Sequence, residues 1–555
     1  MRRGVVVPLA GGAALAAATP PAVVPGAEFL VWPGLAVWFL LARDPQRPKW
    51  HSYLLGCVHL AWFSWSIHHV LWGAYLAIVG LGGAYFVLGT IALRVVPQRW
   101  QALGFGLVVA GSFWLRANVP SIHYPHGQPC HALWPWPQLL GSVTLGGEAL
   151  ANALLGWLAA SAVELWSGWR VGTPPWPVAR RRGAVALGVA AVASAVGWAI
   201  AASVRSSPSQ DGTRPVPVVL VEPGLHAFDY LRGLPRTFEE RLLRPTQSLL
   251  SAGLGDTPPQ APGAANATLV LWPESSIPVT IPVDEIAAGT ARLLHDQLHP
   301  LVAAPERLLL GVNVARGARE TPAAVLVDLR DGRVLGHYEK RCLVPGGEFV
   351  PLLQLLPQAV VDWVRSVFER ALGSMPDLVP GQAGPLLHMT DGTPFGVLLC
   401  YDNAFPEPAA DQVAQGARFL CVLSNESWYR GGGELTQLVA MSVVRALETA
   451  TPLVRCTTDG WSVVVGADGE LRDQLPLRAG PDQGPRILRT TVPPGPGRLP
   501  PMAWLRGATG PLAGLWLGLA LLHAAWTWAR LRSARTTPAA SGGPGDPVPP
   551  AASGS

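Results

Sequence analysis

The stretch "GVLLCYDNAF", residues 396–405, carries an apolar run that ends on one cysteine, Cys400, and continues at once with polar residues. A short, continuous apolar run is typical of a β-strand that is covered on both faces. Cys400 then lies at the end of the strand, where catalytic groups are often displayed. Taken alone, Cys400 could be a core residue, a disulfide partner, a metal ligand or a nucleophile.

Seven similar aliphatic runs occur between residues 216 and 469, and helical stretches such as 408–417 and 435–450 separate some of them. Continuous strands that alternate with helices favour an α/β sandwich. This part of the chain also carries most of the Asp and Glu residues. The sequence therefore predicts a soluble α/β domain over residues 210–500.

The rest of the chain has the composition of a membrane protein. Of its 555 residues, 49% are hydrophobic and only 14% are charged, and the 23 tryptophans suit the interface between water and lipid. We predict about eight α-helical membrane spans, with seven in a domain over residues 1–205 and the last at 505–531. The apolar blocks lie at about 5–24, 27–42, 51–70, 72–93, 101–117, 137–165, 184–203 and 508–530. The Pro/Gly/Ser/Ala-rich tail, 536–555, is predicted to be disordered.

The arginines predict the orientation of these spans. Arginine clusters fall in alternate loops, such as 43–49 and 180–182, whereas the loop 118–138 has no Lys or Arg. The positive-inside rule places the clusters in the cytoplasm and the α/β domain on the outer, periplasmic face of a bacterial inner membrane. An alternative for the first block is a cleaved signal peptide.

Composition also argues against several other classes of function. The net charge of +5 comes from arginines beside the apolar blocks, so we expect no nucleic-acid partner. The six cysteines form no CxxC pair and have no zinc-ligand spacing, so we expect no metal, no cofactor and no disulfide framework.

Three strand ends carry groups with complementary chemistry. Glu274 follows the run "LVLW", Lys340 precedes a Pro/Gly turn in "GHYEKRCLVPGGEFVPL", and Cys400 is the third. A thiol needs a base to become a nucleophile, which a carboxylate can supply, and an ammonium can stabilise an oxyanion. The trio predicts acyl transfer through a thioester.

The same segments resemble a known family. Glu274, Lys340 and Cys400, in this order, are similar to the Glu-Lys-Cys triad of the nitrilase (carbon-nitrogen hydrolase) superfamily. "KRCLVPGGEFVPL", "LSNESWY" and "QLVAMSVVRALETATPLVRCTTDGWS" resemble segments of the apolipoprotein N-acyltransferase family. The resemblance implies a nitrilase-like α-β-β-α sandwich between the seventh and eighth spans.

The resemblance also implies roles for individual residues. Glu274 would be the general base, Lys340 the oxyanion stabiliser and Cys400 the nucleophile. Glu348 and the backbone N–H of Tyr401 would support them, and Trp428, Asn425 and Asp402 are candidates for substrate binding or a lid. The chain departs from the family pattern at Asp402, where Glu is usual, at Leu438, where His is usual, and near Arg116, where a Glu-x-x-Arg motif is usual.

The family takes an acyl chain from a phospholipid and passes it to the α-amine of a diacylglyceryl-cysteine lipoprotein. We therefore expect a phospholipid donor, an apolipoprotein acceptor, membrane lipids as surroundings and a monomer. One alternative is a membrane-bound amidase-type hydrolase with the same triad, and another is a non-catalytic scaffold or transporter. Residues 348–373 are amphipathic, which fits either a packed surface helix or an arm that contacts the bilayer.

Overall fold

The structure is a computed structural model of the whole chain. It describes residues 2–172, 174–206, 214–225, 239–251, 268–277, 280–286, 307–373, 375–478 and 484–536. Apart from residue 536, the predicted disordered tail lies outside the described residues.

Each apolar block of the sequence contains a helix. In chain order they are Arg2–Ala18, Val31–Arg43, Trp50–Phe63, Trp72–Arg94, Gln101–Asn118, Gly141–Arg170, Trp176–Arg205 and Ala503–Thr536. Among the described residues, four helical segments are long and apolar enough to cross a membrane, and they lie at Trp72–Arg94, Pro137–Arg170, Trp176–Arg205 and Trp504–Ser533.

The outer faces of these helices are apolar. Large aliphatic and aromatic side chains stand exposed along two of the long helices, including Leu187, Val192, Leu515, Leu519 and Leu522. A water-soluble surface seldom carries apolar rows of this length. These helices therefore present the surface of a membrane protein.

The α/β domain contains two sheets. The first has the strand order Arg486–Val492, Val216–Glu222, Leu269–Leu271, Arg307–Arg316, Arg319–Asp328 and Val334–Glu339, with Thr280–Pro282 paired to Arg307–Arg316. The second has the order Leu471–Gln474, Val463–Val465, Leu453–Thr457, Leu420–Ser424, Pro394–Leu399 and Leu387–His388. Both sheets mix parallel and antiparallel pairs.

The two sheets pack face to face. Their inner faces share one buried cluster, to which Val218, Leu271 and Leu326 contribute from the first sheet and Val397 and Leu423 from the second. The outer face of the first sheet is covered by a separate cluster that includes Leu242 and Leu243. Because both faces of the central strands are buried, their sequences read as continuous apolar runs.

Three further helices lie within the second half of this domain: Gln358–Leu372, Pro406–Ala414 and Glu434–Thr449. We call Gln358–Leu372 the arm helix and Glu434–Thr449 the docking helix. Every residue of the docking helix is buried. Val439, Val443 and Leu447 of this helix belong to one buried cluster with the second sheet and the membrane helices, so the helix joins the two parts of the chain.

Polar contacts fix the docking helix on the membrane side. The Gln437 amide donates to the carbonyl of Phe63 at 2.9 Å, and the Thr144 hydroxyl donates to the carbonyl of Leu447 at 3.0 Å. Arg445, which is fully buried, pairs with Glu148 at 2.6 Å. Because these groups are desolvated, the docked arrangement satisfies them and separation would leave them unpaired.

Candidate active site

Glu274, Lys340 and Cys400 each follow a strand. Glu274 lies just after Leu269–Leu271, Lys340 just after Val334–Glu339, and Cys400 just after Pro394–Leu399. The first two strands belong to one sheet and the third to the other. The site is therefore built where strand ends of the two packed sheets meet.

Lys340 lies at the centre of the group. Its side chain is buried, and its Nζ donates to Glu274 Oε1 at 2.9 Å and to Glu348 Oε1 at 2.6 Å. Burial lowers the pKa of Lys340, but Glu274, Glu348 and Cys400 outweigh it, so the pKa stands well above its ordinary value. Lys340 is therefore a fixed ammonium, held between two carboxylates.

The two carboxylates are held by backbone donors as well. The Asn425 N–H donates to Glu274 Oε2 at 3.1 Å, and the Val344 N–H donates to Glu348 Oε2 at 2.8 Å. Burial raises the pKa of Glu348, and the neighbouring Glu274 adds to the rise, whereas Lys340 opposes it. Both carboxylates thus have a defined orientation before any substrate is bound.

Cys400 adopts a strained backbone conformation. Its φ of 47° lies in the left-handed region, which a non-glycine residue rarely occupies, and it opens the short 3₁₀ turn Cys400–Ala404. The residue is only 7% exposed. Strain of this kind is concentrated at functional sites, because it aims a side chain that a regular strand would point elsewhere.

The Cys400 thiol is neutral at rest. Burial raises its pKa to about 12, and the charge of Glu274 adds to the rise, whereas Lys340 and a hydrogen bond with Ser424 lower it. A thiol with this pKa is protonated near neutral pH and needs a base at the moment of attack. The Glu274 carboxylate lies close enough to the thiol for its charge to raise the pKa of Cys400.

A close approach of two strands positions Glu274. A Cβ added at Gly311 would lie 2.5 Å from the Glu274 Cα and 2.6 Å from the Pro273 carbonyl oxygen. Real Cβ atoms do not approach this closely, so Gly311 is the residue that lets the Glu274 turn lie against the neighbouring strand. Ser275, the next residue along the chain, has a φ of 55°.

Asp402 is a buried brace. Its carboxylate accepts hydrogen bonds from the Tyr338 hydroxyl (2.9 Å), from the N–H groups of Arg341 (3.1 Å) and Cys342 (2.7 Å), and from the Leu399 N–H (3.1 Å). It ties the turn after Cys400 to the loop after Lys340. Asp402 has no exposed surface, and its hydrogen bonds hold these loops in their relative position. Its predicted part in substrate binding or a lid stays a prediction.

The other predicted residues line a large cavity with the triad. Its volume is about 940 Å³, and Tyr401, Asn425 and Trp428 contribute to its wall together with Glu274, Lys340 and Cys400. The backbone N–H of Tyr401 lies in the first turn of Cys400–Ala404, where N–H groups have no partner within the turn. The Tyr401 hydroxyl donates to the His123 carbonyl at 3.2 Å.

The cavity continues into the membrane helices. Apolar residues from Leu60 to Tyr85 form one wall, and the arm helix supplies Val364, Val367 and Phe368. The site therefore combines a buried thiol among fixed charges with an apolar volume that a long acyl chain could fill.

Sequence reasoning missed a second cation near the thiol, in addition to Lys340. Arg455 lies within the strand Leu453–Thr457, is fully buried, pairs with Glu426 and approaches the Ser424 hydroxyl at 3.2 Å. Burial lowers the pKa of Arg455 to about 10, while the charges of Cys400 and Glu274 oppose that fall. Its signal was a lone arginine within an otherwise apolar strand, "PLVRC".

Comparison with known proteins gives the class of this domain. Residues 240–480 match the family described as carbon-nitrogen hydrolase. These residues therefore form a carbon-nitrogen hydrolase domain, and it is joined to a helical membrane region. Solved structures of an amidase from Nesterenkonia sp. AN1 match at 21% identity with a TM-score of 0.34, over 54% of this chain and 97% of that chain, a likeness too low to add to this conclusion.

The whole chain has more specific relatives. It is 28% identical over 500 residues to an apolipoprotein N-acyltransferase of Caulobacter vibrioides, covering 84% of this chain and 85% of the relative. It is 27% identical over 573 residues to an apolipoprotein N-acyltransferase of Azotobacter vinelandii, covering 96% of each chain. The resemblance to the apolipoprotein N-acyltransferases that the motifs predicted is thereby confirmed along most of the sequence.

Proposed function

We propose that this protein is an acyltransferase that N-acylates lipoproteins. In this proposal an acyl chain passes from a phospholipid to Cys400 and then to the α-amine of a diacylglyceryl-cysteine N-terminus. The observation that carries the proposal is the single cavity in which Cys400, Lys340 and Glu274 open onto an apolar wall of membrane helices.

In the first half-reaction, Glu274 accepts the thiol proton while Cys400 Sγ attacks the ester carbonyl carbon of the donor. A C–S bond forms, and the Lys340 ammonium and the Tyr401 N–H stabilise the oxyanion. When the C–O ester bond breaks, the departing lysophospholipid oxygen takes the proton from Glu274. The products are an acyl thioester on Cys400 and a lysophospholipid.

In the second half-reaction, the acceptor amine attacks the thioester carbonyl. A C–N bond forms, the C–S bond breaks, and Glu274 carries the proton lost by the amine to the leaving thiolate. The high pKa of Cys400 favours return to the neutral thiol, so the enzyme regains its starting state. Lys340 supports the oxyanion again, because it keeps its charge throughout.

Lipid substrates suit the lining of the cavity. Leu71, Ile78 and Leu81 form part of its wall on the membrane side, and Trp363 and Phe368 do so on the arm helix. Burying an acyl chain against such a wall contributes about 0.8 kcal/mol per CH₂ group. A small amide substrate would leave this volume unfilled, which disfavours the amidase-type alternative.

The proposal includes an arrangement in the bacterial inner membrane. Residues 1–205 and 505–531 would form eight spans, with the catalytic domain, 210–500, on the periplasmic face. The arginine clusters support this orientation through the positive-inside rule. The acceptor amine would then meet the thioester at the outer membrane surface, with the protein acting as a monomer.

A bacterial strain depleted of its own lipoprotein N-acyltransferase provides the test. Expression of this chain should restore the N-linked acyl chain on lipoprotein N-termini, measured by mass spectrometry, and Cys400→Ser should abolish it. Stable protein without any N-acylation would refute the proposal. Release of free fatty acid instead of N-acylated product would favour the hydrolase alternative.

A further inference from the structure

A buried arginine faces the cavity from the membrane side. Arg116 lies near the end of the helix Gln101–Asn118, is 2% exposed, and lines the same cavity as Cys400. A buried guanidinium is costly unless its charge and its five N–H donors are matched. The partners of Arg116 therefore indicate what it is for.

Within the described part of the chain, those partners are incomplete. The Nη2 atom donates to the carbonyl of His126, but Nε and Nη1 have no hydrogen-bond acceptor. Two aromatic faces lie near the guanidinium, whose carbon is 4.7 Å from the Phe113 ring and 5.9 Å from the Tyr124 ring. Phe113 lies three residues before Arg116 on the same helix face, where an acidic side chain could have paired with the guanidinium. An apolar ring stands there instead.

Two residues, His126 and Tyr401, connect Arg116 to Cys400. His126, whose carbonyl it contacts, has its ring stacked near the Tyr401 ring, with centroids 5.9 Å apart. Tyr401 directly follows Cys400 and is held by its hydroxyl to His123. The guanidinium is thus linked through His126 to Tyr401, the residue that follows Cys400.

A guanidinium with open N–H donors at this position suits a phosphate group, which is tetrahedral and carries a full negative charge. Guanidinium binds phosphate through two parallel N–H donors, and Nε and one Nη atom are the pair that remains open. In a glycerophospholipid only the glycerol backbone separates the sn-1 ester from the phosphate. A donor whose ester lies at Cys400 therefore has its phosphate within a short distance of the cavity wall.

We propose that Arg116 binds the phosphodiester of the acyl donor and so sets a preference for phospholipids over neutral acylglycerols. This inference rests on the proposed function and adds to it the group that recognises the donor. Arg116 acts in donor binding, and it takes no part in the attack of the acceptor amine.

The test compares two donors with the same acyl chains, of which only one carries a phosphodiester head group. Purified full-length protein in mixed micelles receives dipalmitoylphosphatidylglycerol or dipalmitoylglycerol, and mass spectrometry follows the thioester on Cys400. The wild type should prefer the phospholipid in kcat/KM. Arg116→Gln should lose about tenfold to a hundredfold in kcat/KM with the phospholipid, mostly through KM, because a charged hydrogen bond is lost.

Two further variants separate charge from structure. Glutamine keeps an N–H for the His126 carbonyl, so a purely structural role of Arg116 would leave Arg116→Gln nearly active. Arg116→Lys should recover part of the phospholipid activity, because it restores the charge without the two-pronged geometry. Arg170→Gln, at an exposed helix end away from the cavity, should change neither donor.

The outcomes distinguish a failure of the Arg116 role from a failure of the proposed function. Equal loss with both donors, or a defect confined to aminolysis of a preformed thioester, would overturn the role of Arg116. If Arg116→Gln does not accumulate as a folded protein, equal use of the two donors by the wild type would overturn it. A wild type that forms no thioester with either donor would instead overturn the proposed function, and this inference with it.

Discussion

At the scale of single residues, the charges of the site explain why its thiol rests in the neutral form. One ammonium, Lys340, lies between two carboxylates, Glu274 and Glu348, so ionising the thiol would add a second excess negative charge. Burial makes that addition more costly still, and the pKa of Cys400 rises to about 12. The proposed base is thus also one of the groups that keeps the nucleophile protonated.

Glu274→Gln should therefore have opposite effects on two measurements. Removing the carboxylate charge lowers the pKa of the Cys400 thiol, so alkylation by iodoacetamide at a fixed pH should become faster and its pH profile should move to lower pH. Acyl transfer should fall by about 10²- to 10⁴-fold, because the general base is lost. Mass spectrometry of the Cys400 peptide measures the rate of alkylation, and an N-acylation assay measures the rate of acyl transfer.

Glu407→Gln is the matched control for that experiment. Glu407 is an exposed carboxylate close to Cys400 in the sequence, and it is not among the main charges that shift the pKa of the thiol. Neither rate should change in this variant. Slower alkylation of the Glu274→Gln protein would contradict the electrostatic account of the site.

How much of the site could be predicted differs from residue to residue. Glu274, Lys340 and Cys400 stand in distinctive sequence contexts, so their grouping was predictable before their distances were known. The bracing role of Asp402 was not predictable, because three of its four donors come from residues 60 to 64 positions away in the sequence. Arg455 was missed because a strand pattern indicates burial and does not identify the partner of a buried charge.

At the scale of elements, the arm helix contributes to the cavity, and its contact with the bilayer stays a prediction. Its amphipathic pattern fitted a packed surface helix and a membrane-contacting arm equally well. Val364, Val367 and Phe368 line the cavity, while the neighbouring Trp363 is 64% exposed. The helix thus forms one side of the cavity, and Trp363 both lines the cavity and keeps much of its indole exposed, which would suit the membrane interface.

A charge on the cavity side of the arm helix should obstruct the acyl chain. Val364→Lys should reduce thioester formation from a long-chain phospholipid by about tenfold or more, since a lysine ammonium in an apolar cavity resists desolvation. A short-chain, water-soluble ester should acylate Cys400 almost normally. Glu369→Lys, on the exposed side of the same helix, should leave both reactions near the wild-type rate.

An equal loss with the long and the short donor in Val364→Lys would show that the helix acts on the triad itself. A loss in Glu369→Lys as large as that in Val364→Lys would instead show that the helix senses charge at any position. Either result would remove the helix from the proposed acyl-chain site.

The boundaries of the helices show where hydropathy stops being informative. The seventh apolar block was placed at 184–203, but the helix begins at Trp176 and continues through Arg180, Arg181 and Arg182. Hydropathy measures suitability for lipid, and a helix can extend beyond the lipid into polar sequence. The break at Gly146 and Gly147 within Gly141–Arg170 was also not predicted, although paired glycines are a known cause of kinks.

At the scale of the whole molecule, the layered architecture was predictable and the strand order was not. Continuous apolar runs between helices indicate sheets covered on both faces, as the two packed sheets confirm. The pairing of Val216–Glu222 with Arg486–Val492 joins segments more than 250 residues apart. No local pattern specifies such a pairing, since it depends on how the complete domain closes.

The proposed orientation can be tested by accessibility from the two sides of the membrane. Gln382→Cys places a thiol on an exposed loop of the catalytic domain, and Arg532→Cys places one at the end of the last helix. A membrane-impermeant maleimide should label Gln382→Cys in intact spheroplasts and Arg532→Cys only after lysis. Peptide mass spectrometry separates these thiols from Cys57 and Cys342, which are partly exposed. The reverse pattern would invert the proposed topology.

The fully buried docking helix has a consequence for how the protein is made. Most of the membrane helices precede the catalytic domain in the chain, so during synthesis they leave the ribosome and enter the bilayer first. The docking helix can be covered on its second side only by helices that are already inserted. Residues 210–500 released alone would expose that side and tend to aggregate, so maturation of the enzyme is completed on the membrane surface.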